Sequence, residues 1–204
     1  MSKYFSTYER WKGRVRATAL SMRYPRISKH ALVIKAHLFG RDKISVGAHA
    51  LLYHCRVRVS SHSKYISIGD YTKVECNAFL NAHKGYINIG SRCFIGPNVV
   101  IQGLGGVDIE DGVMIAGNTF IASSNHVFEN VPLDEFILHE EPKPVVIRRK
   151  TWIGSNVTIV AGVEIGEYCI IGAGSVVTRD IPRGSVAVGS PARVVKAINL
   201  NEAT

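Results

Sequence analysis

Residues 145–177 read VVIRRKTWIGSNVTIVAGVEIGEYCIIGAGSVV, and in this stretch an aliphatic residue returns at every sixth position. The repeating residues are Ile147, Ile153, Ile159, Ile165, Ile171 and Val177. An α-helix repeats every 3.6 residues and a flat strand every two, so neither element explains the spacing. Short strands stacked as the coils of a β-solenoid do explain it. The stretch therefore predicts an all-β solenoid.

The same period extends towards the N-terminus. It recurs in four earlier groups, which are Ile109/Ile115/Ile121, Ile89/Ile95/Ile101, Ile68/Val74/Leu80 and Val46/Leu52. Three hexads make one triangular coil of 18 residues, and coils starting at 46, 68, 89, 109, 147 and 165 lie 22, 21, 20, 38 and 18 residues apart. We therefore expect about six coils and one long protruding loop at residues 124–145.

Glycine recurs directly after the repeating aliphatic residue. It stands there at Gly69, Gly90, Gly96, Gly154, Gly166 and Gly172, with Ala116 in the same slot. We expect these positions to be corners whose backbone torsions exclude residues with a large side chain.

Composition indicates an ordinary soluble domain, with 204 residues, 46% hydrophobic and 20% charged. Neither a run of 18 apolar residues nor a signal-peptide core is found, which favours a cytoplasmic protein without a membrane span. The four cysteines form no CxxC pair, so we expect buried packing residues rather than metal or redox groups. His49 and His54 have no third histidine two coils upstream, which disfavours a zinc site like that of the γ-type carbonic anhydrases.

Four motifs together give the chain a family resemblance. They are MIAGNTFIASSNHVF (residues 114–128), TWIG (151–154), IGAGSVVTRDIP (171–182) and GSPARVVK (189–196). Over residues 44–196 the chain resembles the hexapeptide-repeat acyltransferases, in the sugar and polysaccharide O-acetyltransferase branch. This resemblance implies a single-stranded left-handed parallel β-helix, and homotrimers with active sites in the clefts between subunits.

His126 stands where the six-residue rhythm stops, and the resemblance puts the catalytic histidine of the branch at this place. An imidazole can take a proton from a sugar hydroxyl and later return it to a thiolate leaving group. The implied reaction is direct transfer from acetyl-CoA, without a metal or a covalent acyl-enzyme. Glu140, Glu141 or a backbone carbonyl is expected to orient the imidazole, and the sequence leaves these alternatives open.

The resemblance also implies residues for the two substrates. For acetyl-CoA they are Trp152, Gly154, Ser155, Ala173, Thr178, Arg179, Arg193 and Lys196, and for the carbohydrate acceptor Asn98, Asn125, Phe128 and Glu141. The chain departs from the galactoside and maltose enzymes at residues 96–98, which read Gly-Pro-Asn, and lacks their longer acidic N-terminus. We therefore favour an acceptor from lipopolysaccharide, capsule or exopolysaccharide.

Residues 1–30 carry eight Lys or Arg and one acid, with aromatic and aliphatic residues at helical spacing. This pattern predicts a short basic amphipathic helix. It either caps the solenoid or contacts an anionic membrane surface, as would suit a lipid-linked acceptor at the inner membrane face. No nucleic-acid-binding pattern is recognised, and residues 197–204 are read as a tail. Two other functions stay open: N-acetylation of a nucleotide-linked amino sugar, and a non-catalytic assembly role.

Overall fold

The computed structural model of the chain describes residues 27–28, 30–127, 129–132, 135 and 139–200. Their regular structure consists of β-strands of two to five residues and one 3-10 turn at Arg41–Lys43. The strands are β1 (Leu32–Ile34), β2 (His37–Phe39), β3 (Ile44–Val46), β4 (Leu51–Tyr53), β5 (Arg56–Arg58), β6 (Tyr65–Ile68), β7 (Lys73–Val74), β8 (Phe79–Asn81), β9 (Tyr86–Ile89), β10 (Phe94–Ile95), β11 (Val100–Gln102), β12 (Val107–Ile109), β13 (Met114–Ile115), β14 (Phe120–Ala122), β15 (Ser124–His126), β16 (Glu140–Pro142), β17 (Val145–Ile147), β18 (Trp152–Ile153), β19 (Thr158–Ile159), β20 (Glu164–Ile165), β21 (Ile170–Ile171), β22 (Val176–Val177), β23 (Ser185–Val188) and β24 (Arg193–Ala197).

Three sheets form the faces of the solenoid. Sheet A has the order β3-β6-β9-β12-β17-β20, sheet B the order β1-β4-β7-β10-β13-β18-β21-β23-β24, and sheet C the order β2-β5-β8-β11-β14-β19-β22. The chain visits the three sheets in turn, so each coil adds one parallel strand to each face. Only β24 runs antiparallel within these sheets, against β23. The predicted solenoid is confirmed.

The repeating aliphatic residues form the core. Ile147, Ile153, Ile159 and Ile165 are fully buried, and the parallel register stacks each on its counterpart in the next coil, as in the pair Ile147↔Ile165. Ile109 pairs with Ile147 across the long insertion. The insertion therefore leaves the ladder intact and lies outside it.

The solenoid begins earlier than the spacing indicates. Sheet C has seven strands, so there are about seven coils, and the additional coil contains β1 and β2, ahead of the expected start at residue 44. Its inward residues Val33 and Leu38 are only five positions apart, which breaks the six-residue count. Residues 1–26 and 29 of the predicted N-terminal helical segment (1–30) and residues 201–204 of the tail lie outside the described residues. Ile27, at the end of that segment, forms a parallel bridge with Val46.

The torsional reason expected for the recurrent glycines is wrong. Gly69, Gly90 and Gly154 do not have positive φ; instead, a Cβ on Gly154 would lie 2.6 Å from the Ala173 amide nitrogen of the next coil. Close stacking of coils therefore excludes side chains there. Left-handed torsions fall three residues after the aliphatic residue, at His49, Tyr71, Asn77, Arg92, Asn98, Gly112, Asn118, Lys150, Asn156, Tyr168 and Gly174.

Three of the four cysteines are buried. Burial raises the pKa of the Cys55 thiol to about 12 and also raises the pKa of Cys93 and Cys169. These thiols are therefore protonated at neutral pH, which agrees with the packing role expected of them.

Candidate active site

The long insertion leaves the solenoid after β14 as a two-stranded antiparallel ribbon of β15 and β16. Its two strands meet at the solenoid wall, where the Lys143 amide donates to the Ser123 carbonyl at 2.9 Å. The chain then rejoins sheet A at β17. The ribbon is thus anchored at both ends by regular backbone hydrogen bonds.

Ser123 anchors the root of the ribbon. Its side chain is fully buried, and its hydroxyl donates to the Gln102 carbonyl at 2.8 Å and accepts from the Gly105 amide at 2.9 Å. A Cβ on Gly105 would lie 2.3 Å from the Ser123 carbonyl oxygen and 2.6 Å from the Lys143 nitrogen. Only glycine lets the neighbouring coil approach this closely, so the ribbon has a fixed starting point.

His126 is the last residue of β15 and lies opposite Glu140 of β16. Its side chain is exposed and faces an open groove of about 460 Å³ along one edge of sheet C. We call this the loop groove; its other polar and aromatic lining residues include His83, Gln102, Phe120, Asn125, Glu140 and Thr158. The imidazole therefore borders an open, partly polar space.

Glu140 and Glu141 differ in what they face. Glu140 lines the loop groove with His126, whereas the Glu141 carboxylate pairs with Lys143 Nζ at 2.8 Å. Successive residues of a strand point to opposite faces, so only Glu140 shares the histidine's side of the ribbon. Among the described residues the His126 ring makes no hydrogen bond. Geometry thus favours Glu140 of the two glutamates as a partner for the imidazole.

His83 is a groove residue that the sequence did not single out. It has a left-handed backbone with φ of 50°, and its amide donates to Asn81 Oδ1 at 3.2 Å. Its carbonyl accepts hydrogen bonds from the hydroxyls of Ser60 and Ser63. These contacts fix an unusual backbone conformation for a non-glycine residue. His83 stands three residues after Leu80, in the slot where left-handed torsions recur along the solenoid. That slot does not indicate which of its residues line a groove, so only the fold reveals this one.

The four acceptor residues implied by the resemblance do not lie together. Asn125 contributes to the lining of the loop groove, but it pairs with Glu141, and both side chains lie on the side of the ribbon opposite to His126 and Glu140. Asn98 is at the opposite edge of sheet C, where its amide donates to Asn118 Oδ1 at 2.9 Å. Phe128 lies outside the described residues.

The implied donor residues occupy the coils that follow the ribbon. Trp152 is half-exposed on sheet B, between Met114 and Ile170 in the register. Gly154 is buried, and its amide donates to Ile171 while its carbonyl accepts from Thr119 Oγ1. Gly154 is therefore a stacking residue within the chain.

Ser155 and Ala173 lie at the corner between sheets B and C, and Ala173 is exposed. Among the described residues, neither backbone amide donates to a protein acceptor. Two such N–H groups can receive the carbonyl oxygens of an extended amide-containing ligand.

Thr178, Arg179, Arg193 and Lys196 are exposed near the C-terminal end of the solenoid. Arg193 donates to the carbonyl of Ala192 at 2.9 Å, and within the described part of the chain the three cations form no ion pair. They are available for phosphate groups. None of the eight implied donor residues lines the loop groove of the same chain.

No group of three or more His, Cys, Asp or Glu side chains that could hold a metal ion occurs among residues 27–200 outside the gaps given above. Within the same ranges, no helix has the length and apolarity to cross a membrane.

Two family models match the solenoid. Residues 144–179 match "Bacterial transferase hexapeptide (six repeats)", and residues 86–123 match "Hexapeptide repeat of succinyl-transferase". Galactoside O-acetyltransferase of Escherichia coli is 34% identical over 142 residues, which are 66% of this chain and 65% of that protein. Galactoside O-acetyltransferase of Lactococcus lactis is 35% identical over 136 residues, covering 57% and 65%. Over these residues the chain is similar to the hexapeptide-repeat transferases.

Coverage of the relatives is partial. A protein of Mycobacterium tuberculosis named "Probable acetyltransferase" is 29% identical over 86% of this chain and 56% of its own length. The chain thus spans less than two thirds of these curated relatives.

Solved structures agree on the fold. The polySia-specific acetyltransferase NeuO superposes with a TM-score of 0.58 at 23% identity, covering 82% of both chains. AntD, an N-acyltransferase from Bacillus cereus in complex with dTDP and coenzyme A, gives 0.57 at 20% identity, covering 84% of this chain and 85% of that one. These likenesses show the fold, a left-handed β-helix.

Proposed function

We propose that the chain is an O-acetyltransferase that moves an acetyl group from acetyl-CoA to a sugar hydroxyl of a surface polysaccharide or its precursor. The observation that carries the proposal is the position of His126, exposed on an anchored ribbon above an open groove. The matches to the two hexapeptide family models and to the two galactoside O-acetyltransferases support the choice of reaction.

In this mechanism His126 is the general base. It removes the proton of the acceptor hydroxyl while the oxygen attacks the thioester carbonyl. The tetrahedral adduct then collapses, the carbon–sulfur bond breaks, and the imidazolium returns its proton to the thiolate. Glu140, on the same side of the ribbon, orients the ring and stabilises its protonated form.

The groove supplies polar groups for an acceptor sugar. Asn125, Gln102 and His83 line it with His126, and each can donate or accept a hydrogen bond. Phe120, 41% exposed, offers an apolar surface on the same wall. We expect that a large part of the rate enhancement comes from holding the acceptor hydroxyl against the imidazole.

The acyl donor is a substrate of this reaction. Trp152 offers a face to the pantetheine arm, and the amides of Ser155 and Ala173 can receive its carbonyl groups. Arg179, Arg193 and Lys196 supply positive charge for the phosphates, with Thr178 beside them. A metal has no part in the proposed chemistry.

We also propose a homotrimer. Trp152 and Met114 on sheet B are 51% and 49% exposed, and a solenoid with apolar faces gains by covering them. The donor residues lie outside the loop groove of their own chain, so a neighbouring subunit would complete the site. The cytoplasmic location and the membrane contact of residues 1–30 stay predictions from the sequence.

The direct test is turnover of acetyl-CoA with a panel of defined glycans, following thiol release and the mass of the product. An acetyl ester is cleaved by hydroxylamine and an acetamide is not, so the product distinguishes O-transfer from N-transfer to an amino sugar. We expect an ester. If product forms only with nucleotide-linked amino sugars, the protein is an N-acetyltransferase and the proposal is wrong. If no acceptor is acetylated, the result favours the assembly role.

A further inference from the structure

Sheet C has an outer face without carboxylates. The outward residues of its strands alternate with the buried core residues, and none of them within the described ranges is Asp or Glu. Its two arginines, Arg56 and Arg58, are both on β5, and His37 lies beside Arg56 on β2. Sheet A differs, because Asp108 and Glu164 point outward from it. The β5 end of sheet C therefore attracts anions, whereas the loop groove near β14 is lined by Glu140.

His37 and Arg56 form part of a second concavity, of about 630 Å³, which we call the basic depression. It is lined by Lys35, His37, His54, Arg56, Asn77 and Asn98. Arg56 Cζ lies 4.8 Å above the ring centre of Phe79, which holds the guanidinium against the wall. Within the described residues, neither Lys35 nor Arg56 has a carboxylate partner.

The basic depression and the loop groove lie on the same face. Strand β11 belongs to both, since Val100 lines the depression and Gln102 lines the groove. Arg56 on β5 and Phe120 on β14 are three strands apart, which is roughly 14 Å at the usual strand spacing. A short saccharide can therefore span the two sites along sheet C.

We propose that the acceptor is an anionic saccharide, with a phosphate or carboxylate bound in the basic depression and the reacting hydroxyl beside His126. This rests on the proposed function and narrows its substrate class. Arg56 presents a planar fork that matches either anion, and Lys35 adds a second charge. The Asn77 and Asn98 amides supply neutral donors. The subsite gives Asn98 a role in binding the acceptor, as the resemblance implies, although Asn98 lies away from the loop groove.

Direct binding tests the subsite without any turnover. Isothermal titration without acetyl-CoA compares a phosphorylated oligosaccharide, a carboxylated one and their neutral parent. We expect the anionic ligands to bind at least tenfold more tightly, and the preference to shrink as salt rises. The double variant Lys35→Gln/Arg56→Gln should lose the preference. Arg92→Gln/Lys150→Gln, which also removes two positive charges but at corners away from the basic depression, should keep it.

The outcomes separate this proposal from the proposed function. His126→Ala should bind the anionic saccharide normally even though transfer fails, so binding without transfer supports the subsite alone. Equal binding of neutral and anionic saccharides would overturn it. The proposal would also be overturned if Lys35→Gln/Arg56→Gln kept the preference for anionic saccharides. It would be overturned as well if that variant lost only the binding of inorganic phosphate or of anionic lipid vesicles.

Discussion

His126 and Glu140 are directly opposed residues of a two-stranded antiparallel ribbon. Both face the loop groove, and the ribbon starts from the buried hydroxyl of Ser123. A general base needs a fixed position and a partner that stabilises its charged form. We propose that His126 and Glu140 fill these two roles, on a segment outside the solenoid's repeat.

Replacing Glu140 tests its partnership with His126. Glu140→Gln should lower kcat about tenfold through poorer orientation of the imidazole, and leave the KM for acetyl-CoA unchanged, because only the transfer step uses the carboxylate. Steady-state kinetics measure both constants. The neighbouring Glu141→Gln removes the same charge from the other side of the ribbon and should stay near wild type. Equal losses in the two variants would contradict the assignment.

Gly105→Ala should disturb the root of the ribbon. The added methyl group would lie 2.3 Å from the Ser123 carbonyl oxygen, and such overpacking costs about 1–3 kcal/mol. We expect a lower Tm and a lower kcat. Gly117→Ala is the control, because its methyl would meet no atom closer than 3.0 Å. Wild-type kinetics in Gly105→Ala would show that the root does not position His126.

Arg148 joins the coils on either side of the insertion by donating to Glu110 and Glu164 at 2.8 Å. Burial alone would raise the pKa of Glu110, but hydrogen bonds from the Arg148 guanidinium and the Arg149 amide outweigh it and lower that pKa. The lowered pKa stabilises the fold above the ordinary carboxyl value, and this stabilisation is lost as pH falls through the folded-state value.

Arg148→Gln should therefore reduce the free energy of unfolding by roughly 1 kcal/mol at pH 7, since the side chains are partly exposed. The difference from wild type should shrink as the pH falls below the ordinary carboxyl value of 4.5. Urea unfolding at several pH values measures it. A difference independent of pH would mean that packing, not the ion pairs, is responsible.

Neutralising Arg193 and Lys196 should raise the KM for acetyl-CoA with little change in kcat, because phosphate contacts bind ground state and transition state alike. Comparing CoA with dephospho-CoA as ligands identifies the phosphate involved. If the wild-type protein and the Arg193 and Lys196 variants all bind CoA and dephospho-CoA with equal affinity, these cations do not contact the phosphates.

The six-residue spacing predicted the core because each face of a coil contributes one inward aliphatic residue, such as Ile153, and successive faces are six residues apart. It missed the first coil, where Val33 and Leu38 are five residues apart. It also gave the wrong reason for Gly154, since contact between coils is invisible in a local pattern. His83 and Arg56 escaped notice because the fold alone brings them to the face that carries His126.

The central claim is tested most directly by the turnover of His126→Ala on the true acceptor. The side chain is exposed, so the variant should fold and bind acetyl-CoA as wild type does, and His62→Ala, an exposed histidine outside the loop groove, is the matched control. A general base contributes about 100- to 10,000-fold, and we expect a fall of that order in His126→Ala alone. A variant that keeps more than about a third of the wild-type rate would contradict the role of His126 as the base.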